Sequence, residues 1–186
     1  MRLYFILVSV LILLSGCDAF TPKGESHKEV KWLNYAIKDA FAMQYPSYLS
    51  KDDSLSPKAT MAFCDKTKGV FCMVIYESRD TLAFSGYDSV SLSDYIGLLK
   101  QNEDSGLKLK LLSEKKAKVN GLNAVDYFIE NDLTAENNGI PMSSLLKKVV
   151  IEGDKGFFQI YVWCVSEDFE YYKNDFNKMI SSFREI

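Results

Sequence analysis

Asn120-Gly121 narrows the folds open to this chain more than any other pair of residues. Both residue types accept the left-handed backbone of a tight hairpin turn, the turn that best joins two right-twisted antiparallel strands. On either side, Lys108 to Val119 and Leu122 to Leu133 alternate apolar and polar side chains, the period of a strand with one buried face. A lone hairpin is marginal in water, so the rest of the chain must supply further strands and a layer to cover them.

Further strands can be read on both sides of this pair. Ala59 to Cys64 and Val70 to Glu77 bracket the polar run Asp65-Lys66-Thr67-Lys68-Gly69, and Leu145 to Glu152 and Phe157 to Val165 bracket Gly153-Asp154-Lys155-Gly156. Trp32 to Tyr45 fits a helical stripe (Val30, Leu33, Ile37, Phe41) as well as a strand's alternation. Its aromatic content and Pro46, which pushes the preceding residue to extended geometry, favour a short hairpin turning near Lys38-Asp39. Ser47 to Lys58, Ser78 to Val90 and Thr134 to Pro141 read as polar connections.

Two helices complete the pattern. Ser91 as N-cap with Asp94 three residues on opens a helix carrying Leu92, Tyr95, Ile96 and Leu99, expected to end between Asn102 and Gly106. Ser166 is expected to cap the last helix, with Glu167 and Asp168 at the positive end of its dipole. Phe169, Tyr172, Phe176, Met179, Ile180 and Phe183 recur there at helical intervals. The class is α+β, an antiparallel sheet of hairpins with one internal and one C-terminal helix packed on it.

The N-terminus sets the compartment. Arg2 precedes an apolar run from Leu3 to Leu14, too short to span a membrane, which takes about 20 apolar residues. Leu14-Ser15-Gly16-Cys17 then resembles the lipobox of bacterial lipoproteins. That resemblance implies a signal peptide over residues 1–16, cleavage before Cys17 and acylation (palmitate among the chains) of its cysteine. Residues 17–30 then read as a lipidated, flexible tether reaching on the order of 20 Å, and residues 31–186 as one domain. Asp18, directly after the lipidated cysteine, implies retention at the periplasmic face of the inner membrane.

Charge and cysteines narrow the function classes. With 22 Lys and Arg against 25 Asp and Glu the chain is net acidic, which argues against a nucleic-acid partner. The basic cluster Lys108, Lys110, Lys115, Lys116 and Lys118 alternates with other residue types and reads mainly as a solvated strand face, with a phosphate or lipid-headgroup patch as the alternative. With Cys17 taken by lipid, Cys64, Cys72 and Cys164 are left in an oxidising compartment. If the loop between them centres on Lys68, Cys64 and Cys72 face one another and can bridge; otherwise they are free thiols. Cys164 reads as a buried thiol.

No catalytic constellation stands out. The single histidine, His27, lies in the tether, where it cannot be held against a fixed partner. The cysteines lack metal-finger spacing, and there is no glycine-rich phosphate loop, so neither a metal nor a cofactor is expected. Asp126, Glu130 and Asp132 share one strand face and are either a paired acid and base, or a cation site together with the Glu136-Asn137-Asn138 loop, or a solvated edge balanced by the lysine-rich strand across from them. Phe157, Tyr161 and Trp163 share one face of the last strand, opposite Phe158, Ile160 and Val162. They are core if helices cover both faces and a binding surface if one is open.

As an ordering of elements, residues 35–184 resemble the PsbP-like superfamily, including its DcrB-like envelope lipoproteins. The resemblance is carried by Phe41-Ala42-Met43-Gln44-Tyr45-Pro46, the Ser91-to-Leu99 helix after two strands, the Val119-Asn120-Gly121-Leu122-Asn123-Ala124 turn and the terminal Phe176-to-Arg184 segment. It implies an α/β/α sandwich and a non-enzymatic binder, assembly factor or chaperone-like adaptor. The resulting expectation is a lipid-anchored, non-catalytic envelope protein with a protein partner, in an adaptor, assembly, immunity or chaperone-like role. The alternative from another class is a carboxylate-dependent hydrolase or cation-dependent envelope enzyme using Asp126, Glu130 or Asp132.

Overall fold

The computed structural model describes residues 30–101, 109–134 and 141–186. In chain order it contains β1 (Trp32–Ile37), β2 (Phe41–Pro46), β3 (Ser50–Lys51), β4 (Met61–Asp65), β5 (Val70–Ser78), α1 (Arg79–Phe84), α2 (Leu92–Gln101), β6 (Leu109–Val119), β7 (Leu122–Asp132), β8 (Ser143–Glu152), β9 (Gly156–Val165), α3 (Phe169–Ser182) and β10 (Arg184–Glu185). A single 3-10 turn, Ser166–Asp168, leads into α3. Lys31–Ile186 forms one compact unit.

The expected hairpins are present, and antiparallel pairing assembles β3 to β9 into a seven-stranded sheet of order β3-β4-β5-β9-β8-β7-β6. Asn120 and Gly121 supply the left-handed turn with φ of 48° and 87°, and Asp39 does the same between β1 and β2 with φ of 60°. The two central strands β5 and β9 come so close at Gly156 that a Cβ there would overlap the carbonyl oxygen of Glu77, which is why that position takes glycine. A smaller sheet of order β1-β2-β10, not anticipated from the hairpin pattern, forms because the last residues return to pair with β2.

Each face of the large sheet has its own core. Phe158, Ile160, Val162 and Cys164 of β9 point to one side and meet the α3 stripe Phe169, Tyr172, Phe176, Met179 and Ile180, with Phe183 just past the end of the helix. Phe158 is fully buried there among Phe41 (5.9 Å between ring centroids), Phe183 (4.9 Å) and Tyr76 (4.7 Å). Phe157 points to the other side, into a second cluster with Leu82, Val90, Tyr95, Val125, Tyr127, Ile129 and Val150 under α1 and α2. The layers are therefore helix, sheet, helix, with the small sheet sharing the α3 side.

The C-terminus locks this arrangement. Glu185 accepts hydrogen bonds from the backbone N–H groups of Asp154 (2.8 Å) and Lys155 (2.7 Å) at the β8–β9 turn, and the Ile186 N–H donates to the Ala40 carbonyl (3.2 Å). The side-chain amide of Asn120 donates to the carbonyls of Ser181 (3.0 Å) and Phe183 (2.5 Å), tying the β6–β7 turn to the end of α3.

Three expectations are corrected. The connection Ser78 to Val90 contains α1, started by the Ser78 hydroxyl, which accepts from the Thr81 N–H at 3.0 Å; six residues carry too little apolar period to show in the sequence. Ser166 does not cap α3, because its hydroxyl is taken by Ser143 at 2.6 Å. Cys64 and Cys72 do not face one another and are free. Asp65 pairs with Val70, and its carboxylate accepts from the Thr67 and Lys68 N–H groups (3.1 and 3.2 Å), which fixes a four-residue loop not centred on Lys68. Cys72 then pairs with Phe63 and Cys64 with Phe71, so the two thiols lie on opposite sheet faces. By contrast, Ser91 and Asp94 form the expected capping box, with Asp94 N–H to Ser91 Oγ at 3.3 Å and the reciprocal bond at 3.2 Å.

Replacing Phe158 with Ala should cost about 3–5 kcal/mol, because three aromatic neighbours lose their shared partner and cannot all close on the void. Urea unfolding followed by tryptophan fluorescence reads this as a lowered midpoint at unchanged slope. A loss below about 1 kcal/mol would mean that the α3-side core is not organised around this ring.

Candidate interaction surface

Alternation along β9 sends Phe157, Gln159, Tyr161 and Trp163 to the α1/α2 side, and these four residues define a gradient from covered to open. At the covered end, Tyr95 of α2 stacks on Phe157 at 4.2 Å and 11°. The Arg79 guanidinium lies 5.1 Å from the same ring and donates to the carbonyls of Val90 (3.1 Å) and Gly153 (3.1 Å), which ties α1 and the segment after it to the β8–β9 turn. Phe157 is fully buried and thus core.

A polar chain runs from this covered end toward the open one. The Tyr95 hydroxyl donates to the Glu77 carboxylate and accepts from Gln159 Nε2 at 2.8 Å, while Gln159 Oε1 accepts from the Tyr161 hydroxyl at 2.6 Å. Burial, reinforced by the Glu77 carboxylate, pushes the Tyr95 phenol well above its ordinary range, so it stays a neutral donor. Lys148 is buried at 7% exposure with its ammonium 5.5 Å from the Tyr161 ring centre and 5.9 Å from that of Tyr127.

Beyond Tyr161 the cover thins. Trp163 stacks on Phe71 at 5.0 Å and 12°, Met73 lies across from Tyr161, and Leu146 lies across from Trp163; all five side chains are half-buried. The aromatic row expected from the sequence thus divides. Phe157 belongs to the core, and Tyr161 and Trp163 belong to a partly open strip on which β5 and β8 contribute Phe71, Met73 and Leu146. The alternation of Val70 to Glu77 placed Phe71 and Met73 on one face, but only the β5–β9 register shows that it is the same face as Trp163.

The carboxylates are arranged differently from a paired acid and base. Asp126, Glu130 and Asp132 share a face of β7 as expected, on the α3 side. Asp126 meets Lys147 at 3.4 Å and Lys115 at 3.8 Å, Glu130 meets Lys110 at 3.2 Å, and Asp132 accepts from the Thr134 N–H at 2.9 Å. Lys110 and Lys115 are the register partners of Glu130 and Asp126, which is the charge-balanced strand pair. Glu130 and Asp132 also line an open recess of about 700 Å³ with Lys110, Thr134, Ser143 and Ser166. Among the described residues no cluster of three His, Cys, Asp or Glu side chains is spaced to hold a metal ion.

All three described thiols are buried. Burial pushes Cys72 up to about 12, and burial with the Asp168 charge pushes Cys164 up to about 12. Cys64 is raised by burial and by donating to the Asp52 carboxylate at 3.5 Å. Cys17, Asp18, His27, Lys108 and the Glu136-Asn137-Asn138 loop lie outside the described residues, and no described helix is long and apolar enough to cross a membrane.

No known family matches the sequence, and no curated protein is significantly similar to it. Solved structures do match the fold. The cyanobacterial PsbP protein of Synechocystis is similar over 89% of this chain and 100% of its own, at 13% identity and a TM-score of 0.57, which identifies the PsbP-like α+β fold. PA94 of Pseudomonas aeruginosa, of unknown function, is 12% identical over 81% of this chain and 94% of its own, with a TM-score of 0.48. LpqN of Mycobacterium tuberculosis, involved in cell envelope biogenesis, is 13% identical over 83% and 90%, with a TM-score of 0.46.

The folded chain should leave Cys64, Cys72 and Cys164 unreactive toward a small thiol reagent at neutral pH, since thiolate is the reactive form and all three thiols are buried with raised pKa. The same protein in denaturant, without reductant, should react at all three; recovery of a Cys64–Cys72 peptide disulfide by mass spectrometry would contradict the β4–β5 register.

Proposed function

We propose that this chain is a lipid-anchored, non-catalytic protein of the bacterial cell envelope that binds a protein partner across the half-open strip on its α1/α2 sheet face. The observation that carries the reading is that strip: Phe71, Met73, Leu146, Tyr161 and Trp163 remain half-buried where the same sheet face is closed by helices a few residues away. Partly exposed aromatic and methionine side chains on a rigid sheet are the composition of interface centres, and Tyr161 adds a polar hydroxyl already oriented by Gln159. An adaptor, assembly, immunity or chaperone-like role needs such a surface and no reactive group.

The anchor rests on Leu14-Ser15-Gly16-Cys17 and the short apolar run before it, and Asp18 favours the periplasmic face of the inner membrane. One acyl chain holds weakly, whereas the two or three chains of a lipoprotein make attachment stable. The carboxylate-dependent enzyme has less support, because Asp126 and Glu130 are matched with lysines.

Cys17→Ser should move the protein from the membrane fraction to the soluble periplasmic fraction or leave it unprocessed, and unchanged fractionation sinks the anchor. Separately, the anchored chain cross-linked in its native cells should yield a stoichiometric protein partner, with Trp163→Ala weakening that complex on the order of 30-fold while circular dichroism keeps its native shape. A complex indifferent to Trp163→Ala and to Tyr161→Ala would place the interface elsewhere.

A further inference from the structure

β6 closes one edge of the large sheet, with β7 on one side and no strand on the other among the described residues. Its lysines, Lys110, Lys115, Lys116 and Lys118, are what a natural edge uses to discourage strand-to-strand aggregation. That purpose does not explain the rest of the strand. Leu109, Leu111 and Leu112 stand 41%, 54% and 41% exposed on the same edge, a concentration of open leucine that an aggregation guard would avoid.

The charge on this edge is also not self-cancelled. Lys110 and Lys115 face Glu130 and Asp126, and the strand's one acid, Glu114, is taken by Lys100 of α2 at 3.3 Å. Lys116 and Lys118 have no carboxylate partner among the described residues. Leu109 and Leu111 share one face of β6 with Lys116 and Lys118 further along the strand, and open leucine in line with uncompensated lysine matches the chemistry of a bilayer interface, where apolar groups enter the acyl boundary and ammonium groups stay at the phosphates.

We propose that the β6 edge docks on an anionic lipid surface and so orients the domain on its membrane, an inference that rests on the anchored reading. The chain outside the structure supports this occupant, because Cys17 lies only a short segment before Val30, and that segment reads from its sequence as a tether with a reach on the order of 20 Å. The whole chain is net negative, with a formal charge of -3, so an anionic bilayer repels it except along a basic edge and the orientation follows from charge. A second copy fits less well, since pairing β6 with itself sets two lysine-rich strands side by side.

The test places a nitroxide on the acylated protein in vesicles, once through Leu111→Cys and once through Phe84→Cys, a position 95% exposed on α1. Accessibility to a water-soluble paramagnetic reagent is read in phosphatidylcholine vesicles with and without phosphatidylglycerol. The label at position 111 should be shielded only when phosphatidylglycerol is present, and the label at 84 in neither. Lys116→Gln combined with Lys118→Gln should lower the docked-to-free ratio on the order of 30-fold. Equal accessibility of both labels in anionic vesicles, or shielding that survives the double substitution, overturns the proposal. Shielding that appears only after envelope proteins are added also overturns it, in favour of an acidic partner strand paired with β6. An unshielded label on a chain that still fractionates with the membrane sinks the edge and not the anchor.

Discussion

The architecture depends on β9 being apolar on both faces. Phe158, Ile160, Val162 and Cys164 need one cover and Phe157 needs another, so the strand cannot sit at an edge or on a sheet with a wet side. Placed between β5 and β8, it forces the sheet to extend in both directions and to carry helices above and below. α3 answers one face with five apolar residues at helical spacing and Phe183 just beyond its end, and α1 and α2 answer the other with Leu82 and Tyr95. Among the described residues the second cover centres on Phe157, and the side chains of the strip around Trp163 stay half-buried.

The two ends of that face are linked by hydrogen bonds and not only by proximity. Glu77, Tyr95, Gln159 and Tyr161 form an unbroken run beneath and beside α2, each polar group buried or half-buried and each satisfied by the next. Such a network fixes side-chain positions more tightly than apolar contact does. The open strip is consequently held as a preformed surface, in which Tyr161 is oriented before anything meets it, and a partner that binds there loses little to ordering.

Much of this was legible in the residues because local chemistry agreed with the final structure. Asn120-Gly121 turns as its backbone preference requires, Ser91 and Asp94 cap each other, and the stripe from Phe169 to Ile180 packs as a helix, with Phe183 buried beside it on extended backbone. The departures came where a tertiary or side-chain partner outbid a local rule. Ser166 gave its hydroxyl to Ser143, and the Asp65 carboxylate set a loop length that turned Cys64 and Cys72 away from each other. The division of the aromatic row could not be read from β9 alone, since it depends on Tyr95 of α2 stacking over Phe157 rather than over Tyr161 or Trp163.

The return of β10 to β2 has a kinetic side. The β1–β2 hairpin meets Phe63 of β4 through Tyr35 and Tyr45, but one of its strand edges is filled by β10 and part of its apolar face by α3, both from the opposite end of the folded unit. A two-stranded hairpin alone holds poorly, so β1 and β2 reach their full packing only when α3 and β10 are present. Closure between sequence-distant ends raises the contact order of this layer above that of local hairpins such as β6–β7, and topology of that kind slows folding.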